Sequence, residues 1–323
     1  SMRTSGDVEM GLDVYNRLIH ACGSRPDGLR RALGLFEEIK ADESMEPDAY
    51  TYGSLLGACA ASANATVADA TVSEMLTRGM AHNRVTRHAY ITALGRAERW
   101  ADALTQYTEL KGESQTQRGD SRGDDVGVSR ESFSLTFDAL LGAAGAEAAI
   151  ASCALEPGGG DAFMRGERAA AARSVFRDGV QAGVYEDPIL GLDTSLDVSV
   201  DLVTDFMEGD GASSLEKKNQ NPKMNPKTPL RVSFMSMTRS EAIVATMVLL
   251  ESFTEVDPAA ESLPSGLFIG AGPGTRGNAQ RRMLAVESVL RAAELRCETI
   301  EDPRTYVIGV TRQDLNEWVK KHA

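Results

Sequence analysis

A helical pattern written twice in the first 60 residues is the feature that most limits what this chain can fold into. The stretches "VYNRLIHACG" (14–23) and "TYGSLLGACA" (51–60) place an aromatic residue, two aliphatic residues and an Ala-Cys pair at the same offsets. Offsets of 3, 4 and 6 from the aromatic residue put these side chains on one face of an α-helix. A helical face that returns after 37 residues predicts repeated helical units that stack on one another.

The pattern recurs in four units. They open at Tyr15, Tyr52, Arg87 and Phe137, which are 37, 35 and 50 residues apart. A second stripe with spacing 3, 4 and 7 follows each opening helix. Its members are Ala32, Leu35, Phe36 and Ile39; Ala68, Thr71, Val72 and Met75; Ala103, Gln106, Tyr107 and Leu110; and Ala172, Val175, Phe176 and Gly179. Two amphipathic helices per unit of about 35 residues predict an α-solenoid.

The charge, the apolar runs and the cysteines exclude several classes of protein. The net charge of −13 argues against indiscriminate binding of nucleic acid, although residues 217–323 alone carry 15 basic and 12 acidic side chains. No apolar run approaches the ~18 residues that a membrane span needs. The cysteines are scattered without metal-site spacing, which is typical of reduced thiols in a non-secreted protein; they are Cys22, Cys59, Cys153 and Cys297.

The repeated unit resembles the pentatricopeptide repeat in "VYNRLI", "ALGLFEEI" and "MEPDAYTYGSLL". The match is direct in the first two units, and polar insertions at 112–131 and 156–167 interrupt the third and fourth. The segment 2–10 resembles the tail of an earlier repeat, so we expect the array to begin upstream. The resemblance implies binding of single-stranded RNA, with one base contacted per unit. A helical array without that resemblance would equally suit a protein-binding scaffold.

In this family the base-contacting positions are the residue after the aromatic in the first helix and the last residue of the unit. The pairs implied here are Asn16 with Asp48, Gly53 with Asn83, His88 with Phe133, and Asp138 with Asp187. The first pair is a family combination that favours uridine, whereas the other three depart from the usual combinations. We therefore expect poor sequence selectivity, and a solvated surface role for Asn16 stays open.

The last 94 residues predict a small α/β domain with the order β-α-β-α-β-β-α. Apolar strands at 230–235 and "GLFIGA" alternate with helices, the first of which opens with a capping box, Thr238 and Glu241. Thr311 and Asp314 predict a cap on the terminal helix. We expect a repeat array over 1–187, an acidic helix and Pro-rich linker over 188–229, and the α/β domain over 230–323. The Asp residues at 193, 197, 201 and 205 predict a solvated helix face rather than a metal site.

This domain resembles the small MutS-related domain, which carries a "DLHGMT" turn after its first strand and "TGxG" after its second. Here the first motif stands as Ser233, Phe234 and Met235, and the second as "AGPG". The family's Asp and His are associated with nicking of nucleic acid, and neither serine nor methionine can supply their proton transfer. We expect binding without catalysis, with an RNA or DNA endonuclease as the alternative.

The glycine-rich loop "AGPGTRGNAQRR" predicts an anion site that contacts a nucleic-acid backbone. Its glycines can approach a phosphate closely and a helix N-terminus follows them. The residues are Gly272, Gly274, Arg276, Gly277, Arg281 and Arg282. Because adjacent helical residues point about 100° apart, Arg281 and Arg282 cannot both face the loop. A dinucleotide fingerprint fits poorly because too little chain follows it, and a turn without a ligand remains an alternative.

Together these patterns predict a protein that binds single-stranded RNA and requires no cofactor or metal. The two resemblances combine into an architecture of plants and algae that acts in processing, stability or translation of organelle RNA. They imply a chloroplast or a mitochondrion, with the targeting segment outside this chain. A scaffold in an organelle ribosomal or transcription complex is the alternative that the acidic charge favours.

Overall fold

A computed structural model describes residues 11–23, 25, 28–116, 128–142, 166–185, 229–234, 236–254, 263–270, 276–302 and 305–322. The chain divides into two compact units, Ser1–Ala143 and Ala144–Ala323, and each is described by itself.

The N-terminal unit is built from helix pairs. Its described helices are α1 (Leu12–Cys22), α2 (Gly28–Ala41), α3 (Ala49–Ala61), α4 (Ala65–Thr77), α5 (Arg84–Arg96), α6 (Trp100–Thr116) and α7 (Arg130–Leu141). The first helices α1, α3, α5 and α7 pack in sequence on one another, and α2, α4 and α6 each pack on their own first helix. The predicted helical repeat architecture is therefore present in this unit.

Three of the first helices begin with the same local device. Asp48, Asn83 and Ser129 each precede a helix and accept a hydrogen bond from the backbone N–H three residues later, while a hydroxyl at that later position bonds back. These reciprocal bonds satisfy two N–H groups that a helix start leaves without an intrahelical partner. The last residue of one unit is thus the cap of the next.

The predicted second-helix stripes form the contact with the first helices. All their members in α2, α4 and α6 are buried except Leu35 and Gln106, which are half-buried.

A polar link recurs at the edge of each helix pair. Tyr15 donates its hydroxyl to Glu38 at 3.1 Å, Tyr52 to Glu74 at 3.5 Å, and the Arg87 guanidinium to Glu109 at 3.1 Å. Arg87 therefore takes a tyrosine's place in the third unit.

The fourth unit opens at Phe133, and its predicted opening at Phe137 is wrong by one helical turn. Phe133 lies four residues after the cap Ser129, as Tyr52 lies four residues after Asp48. The unit starts are therefore 37, 35 and 46 residues apart. Phe133 and Phe137 are both buried on the same face, so periodicity alone could not choose between them.

The C-terminal unit combines four described helices with a four-stranded mixed sheet. Its described elements are α8 (Glu167–Gln181), β1 (Leu230–Ser233), α9 (Arg239–Thr254), β2 (Gly266–Gly270), α10 (Arg276–Ala292), β3 (Glu298–Asp302), β4 (Thr305–Thr311) and α11 (Arg312–His322). The strand order is β1-β2-β4-β3, with β1 and β2 parallel and the other pairs antiparallel. The predicted order β-α-β-α-β-β-α is confirmed.

Both predicted helix caps of this unit are formed. The Thr238 backbone N–H donates to Glu241 at 2.7 Å, and the Glu241 N–H donates to the Thr238 hydroxyl at 3.3 Å. The Asp314 N–H donates to the Thr311 hydroxyl at 3.1 Å. Local polar sequence therefore fixes where α9 and α11 begin.

The helix predicted as the second half of the fourth repeat is formed as α8, with Ala172, Val175, Phe176 and Gly179 buried. The compact unit that contains α8 also contains the sheet. The predicted boundary at 187, the acidic helix and the linker up to residue 228 lie outside the described residues and stay predictions.

Candidate nucleic-acid interface

The first helices of the N-terminal unit run parallel, with their N-terminal ends along one edge. Asn16, in the first half of α1, contacts the cap of α3, and His88, near the start of α5, contacts the first turn of α7. At the other end of the helices, Gly23 and Gly95 lie against Ala58 and Ala139. The N-terminal ends of neighbouring first helices are therefore in contact with one another, and so are their C-terminal ends. The caps at the N-terminal ends consequently form a row.

The first predicted pair is brought together. The Asn16 side-chain amide donates to the Asp48 carboxylate at 3.4 Å, and the same carboxylate oxygen accepts from the Thr51 backbone N–H at 2.7 Å. Asn16 is only 2% exposed, and its side-chain oxygen has no hydrogen-bond partner among the described residues. A solvated surface role for Asn16 is therefore excluded, and of this pair only Asp48 is exposed.

The residues of the second predicted pair, Gly53 and Asn83, lie close together, but only Asn83 has a side chain. A methyl group on Gly53 would lie 3.7 Å from the Val85 side chain and 3.8 Å from that of Thr86, in the first turn of α5. Asn83 is exposed and accepts from the Thr86 N–H at 2.9 Å. Of the two residues of this predicted pair, Asn83 is the one that offers a polar side chain to a ligand.

The third junction corrects the predicted partner of His88. Phe133 is 1% exposed inside α7, and Ser129 occupies the cap position that Asp48 and Asn83 hold. His88 is itself 7% exposed and lies 2.7 Å from the Ser132 hydroxyl through its Nε2 atom. Burial lowers the pKa of His88, which favours the neutral imidazole.

Because the fourth unit opens at Phe133, the base-contacting position that the sequence assigned to Asp138 moves to another residue. Ser134 follows Phe133 as Gly53 follows Tyr52, so Ser134 is the equivalent residue. Asp138 is exposed one turn further along α7. Asp187 lies outside the described residues.

Two exposed apolar residues beside the caps escaped the sequence analysis. Tyr50 is 57% exposed and Val85 is 62% exposed, and each lies two residues after a cap residue. In α7 the equivalent residue is Glu131, which is also exposed. Aromatic and apolar side chains in such positions are surfaces on which unpaired bases stack. The sequence feature that could have identified them is their constant position, two residues after Asp48 and Asn83.

Only part of the predicted C-terminal anion site lies within the residues that the structure describes. Gly272 and Gly274 lie outside the described residues, and Arg276 is described for its backbone alone. The helix α10 begins at Arg276, so Gly277 lies in the helix and not in the loop. A methyl group on Gly277 would meet nothing within 4 Å. Among the residues that the structure describes, no close contact therefore requires a glycine there.

The two neighbouring arginines of α10 differ in their surroundings. Arg281 is exposed, whereas Arg282 is half-buried and donates to the Met237 carbonyl oxygen at 3.3 Å. Burial lowers the pKa of Arg282. The expectation that only one of them can face the loop is consistent with this difference, and Arg281 is the one available to solvent.

The β1 and β2 strands end together beside these residues. Ser233 pairs with Gly270, and the Phe234 N–H donates to the Gly270 carbonyl oxygen at 2.9 Å. The carboxyl edge of parallel strands is where α/β proteins bind ligands. Glu241 is fully buried and accepts from Tyr185 and Thr238, which gives it a structural role. No group of three His, Cys, Asp or Glu residues suited to a metal occurs among the described residues.

Comparisons with known proteins find similarity among solved structures. No family model matches this chain, and no curated protein matches it. The crystal structure of the pentatricopeptide repeat protein PPR10 from maize is similar at 16% sequence identity and a TM-score of 0.35, over 88% of this chain. This chain spans 42% of the length of that protein. Within the described ranges, no helix is long and apolar enough to cross a membrane.

Proposed function

We propose that this protein binds single-stranded RNA along the row of caps at the N-terminal ends of α3, α5 and α7. The observation that carries the proposal is the repeated junction. A residue of one first helix contacts the cap or first turn of the next, and exposed Tyr50 and Val85 stand beside two of the caps. A polar cap at each junction, with an exposed aromatic or apolar side chain beside two of the three caps, suits a strand whose bases are contacted one at a time.

The resemblance to the pentatricopeptide repeat extends this proposal. It supports a role in processing, stability or translation of organelle RNA, in a chloroplast or a mitochondrion. The buried amide of Asn16 limits base selectivity at the first junction, because its oxygen is inaccessible until the side chain rotates. We therefore assign direct contact to Asp48 and Asn83, with Asn16 positioning Asp48.

The C-terminal unit adds a second contact in this proposal. Its resemblance to the small MutS-related domain supports binding to the nucleic-acid backbone near the start of α10, where Arg281 is exposed. Cleavage is not part of the proposal, because Ser233 and Met235 stand where the family's Asp and His would act. Protein incubated with Mg²⁺ or Mn²⁺ should leave single-stranded RNA and plasmid DNA uncut. Cleavage that copurifies with the protein would contradict this.

Titration of the full chain against U-rich and A-rich single-stranded RNA at two salt concentrations tests the function. Affinity must fall with salt if phosphates are contacted. The double change Tyr50→Ala and Val85→Ala should weaken binding, with roughly 1–3 kcal/mol from loss of the aromatic stacking surface at Tyr50 and a smaller loss from the apolar contact of Val85. Leu76→Ala is the matched control, because Leu76 is 50% exposed on the second helix α4.

Two results would overturn the proposal. One is an absence of RNA binding at low salt, which would favour a scaffold for basic proteins in an organelle complex, in keeping with the net charge of −13. The other is an equal loss of affinity in the double variant and in Leu76→Ala. For base selectivity, a loss that is identical on U-rich and A-rich strands in Asn16→Ala would remove Asn16 from base recognition.

A further inference from the structure

The helix α9 of the C-terminal unit is apolar on nearly every side. Its buried residues occupy ten of its sixteen positions, including the run from Glu241 to Met247. A helix buried all round needs neighbours on more than one face. In this unit α9 packs against α10 and α11, and also against α8, which precedes the sheet by almost fifty residues.

Two ion pairs tie α8 to the C-terminal half of α9. The Arg173 guanidinium lies 3.1 Å from the Glu251 carboxylate, and Arg177, one turn later on the same face of α8, pairs with the same carboxylate. The Arg173 side chain is only 11% exposed, whereas Glu251 is 31% exposed, so the Arg173 end of this pair is shielded from water. Shielding makes the pairing stronger than for an ordinary surface ion pair, and makes its disruption costly.

A second attachment lies at the N-terminal end of α9. The Tyr185 ring stacks on Phe176 of α8 with centroids 4.9 Å apart, and its hydroxyl donates to Glu241 at 2.8 Å. Glu241 is fully buried and also caps α9 through the Thr238 N–H. Because Glu241 and Glu251 are ten residues apart, the two attachments are separated by about 15 Å along α9.

We infer that residues 167–185 form a strap that belongs to the α/β unit and completes its fold by covering α9. The folded C-terminal unit then begins at α8 and not at β1, although α8 carries the stripe pattern of a repeat's second helix. Release of the strap would leave the buried carboxylate of Glu241 without its tyrosine donor and uncover apolar residues of α9. The inference does not depend on RNA binding.

Hydrogen exchange of the full chain, followed by mass spectrometry, tests the strap. The double change Arg173→Glu and Arg177→Glu places three carboxylates together, so amide exchange in 167–181 and 239–254 should become at least tenfold faster. Adding Glu251→Arg restores opposite charges and should return most of the protection. Arg30→Glu with Arg31→Glu is the matched control, because it makes the same charge change at two exposed positions of α2.

The conservative change Tyr185→Phe tests the other attachment without altering shape. It removes one hydroxyl from Glu241 and should accelerate exchange in the first two turns of α9 severalfold. Unchanged protection of α9 in both Arg173→Glu/Arg177→Glu and Tyr185→Phe would overturn the strap. So would a triple variant that exchanges as fast as the double one, because a strap held by these ion pairs must respond to their restoration.

Discussion

Gly95 of α5 lies against Ala139 of α7 so closely that a methyl group on Gly95 would stand 2.5 Å from both the Cα and the Cβ atoms of Ala139. Gly23, which follows the last residue of α1, lies against Ala58 of α3 in the equivalent way, with the corresponding distance to the Ala58 Cα at 3.5 Å. Ala58 is six residues after Tyr52, and Ala139 is six residues after Phe133. The contact therefore confirms independently that the fourth unit opens at Phe133.

The close approach predicts the effect of Gly95→Ala. The added methyl group must push α5 and α7 apart, and overpacking of this kind costs roughly 1–3 kcal/mol. That cost should outweigh the gain of about 1 kcal/mol that alanine brings to a helix interior. Urea unfolding monitored by circular dichroism should show a lower midpoint than the wild type.

Gly34→Ala is the matched control for this change. Gly34 lies exposed in α2, and a methyl group there would meet nothing within 4 Å. Alanine should therefore stabilise the protein by roughly 0.5–1 kcal/mol through helix propensity alone. Equal effects of the two substitutions would show that α5 and α7 are not in contact at Gly95.

The Asp48 cap predicts a stability effect that is separable from RNA binding. Asp48→Ala removes the acceptor of the Thr51 N–H and of the Asn16 amide, so the free energy of unfolding should fall by about 1 kcal/mol. Asp48→Asn keeps a capping oxygen and should cost less. If Asp48 also contacts a base, Asp48→Asn should change the preference between U-rich and A-rich RNA although the fold is retained.

His82 predicts a loss of stability on mild acidification. Burial lowers the pKa of His82 to about 4, with Arg87 acting in the same direction, and the ring stacks on Tyr90. The unfolded chain takes up a proton near pH 6.5, but the folded protein does not until about pH 4. The stabilisation is therefore full above pH 6.5 and is lost as the pH falls towards 4, by roughly 1–3 kcal/mol.

Urea unfolding at pH 7.5 and pH 5 measures this loss. His82→Gln removes the titrating group, so the difference in unfolding free energy between the two pH values should become smaller than in the wild type. A pH dependence that is identical in both proteins would assign the acid sensitivity to other groups, among which His88 also has a pKa lowered by burial.

Arg281 predicts how the C-terminal unit takes part in RNA binding. If the exposed guanidinium contacts a phosphate, Arg281→Glu should weaken binding on all sequences equally and reduce the slope of affinity against salt by about one unit. Arg296→Glu is the matched control, because Arg296 is also exposed and lies outside α10. An equal effect of the two changes would indicate only long-range repulsion and not a contact.

The sequence by itself determined the paired helices and the α/β order. The stripes led by Ala32, Ala68 and Ala103 have a helical period, and period is a local property that survives whatever the neighbours do. The caps Thr238 and Thr311 were equally visible, because their partners lie three residues away. The base-contacting positions came only from family resemblance, and the structure brings Asn16 and Asp48 into contact.

Only the tertiary structure decided the register of the fourth unit, the burial of Asn16 and His88, and the attachment of α8. Phe133 and Phe137 share one helix face, so their spacing left the choice open until the cap at Ser129 and the contact of Ala139 with the distant Gly95 decided it. The link between Tyr185 and Glu241 joins residues 56 positions apart. Helical period specifies which face of a helix is apolar, but the partner of that face is set by packing between distant segments.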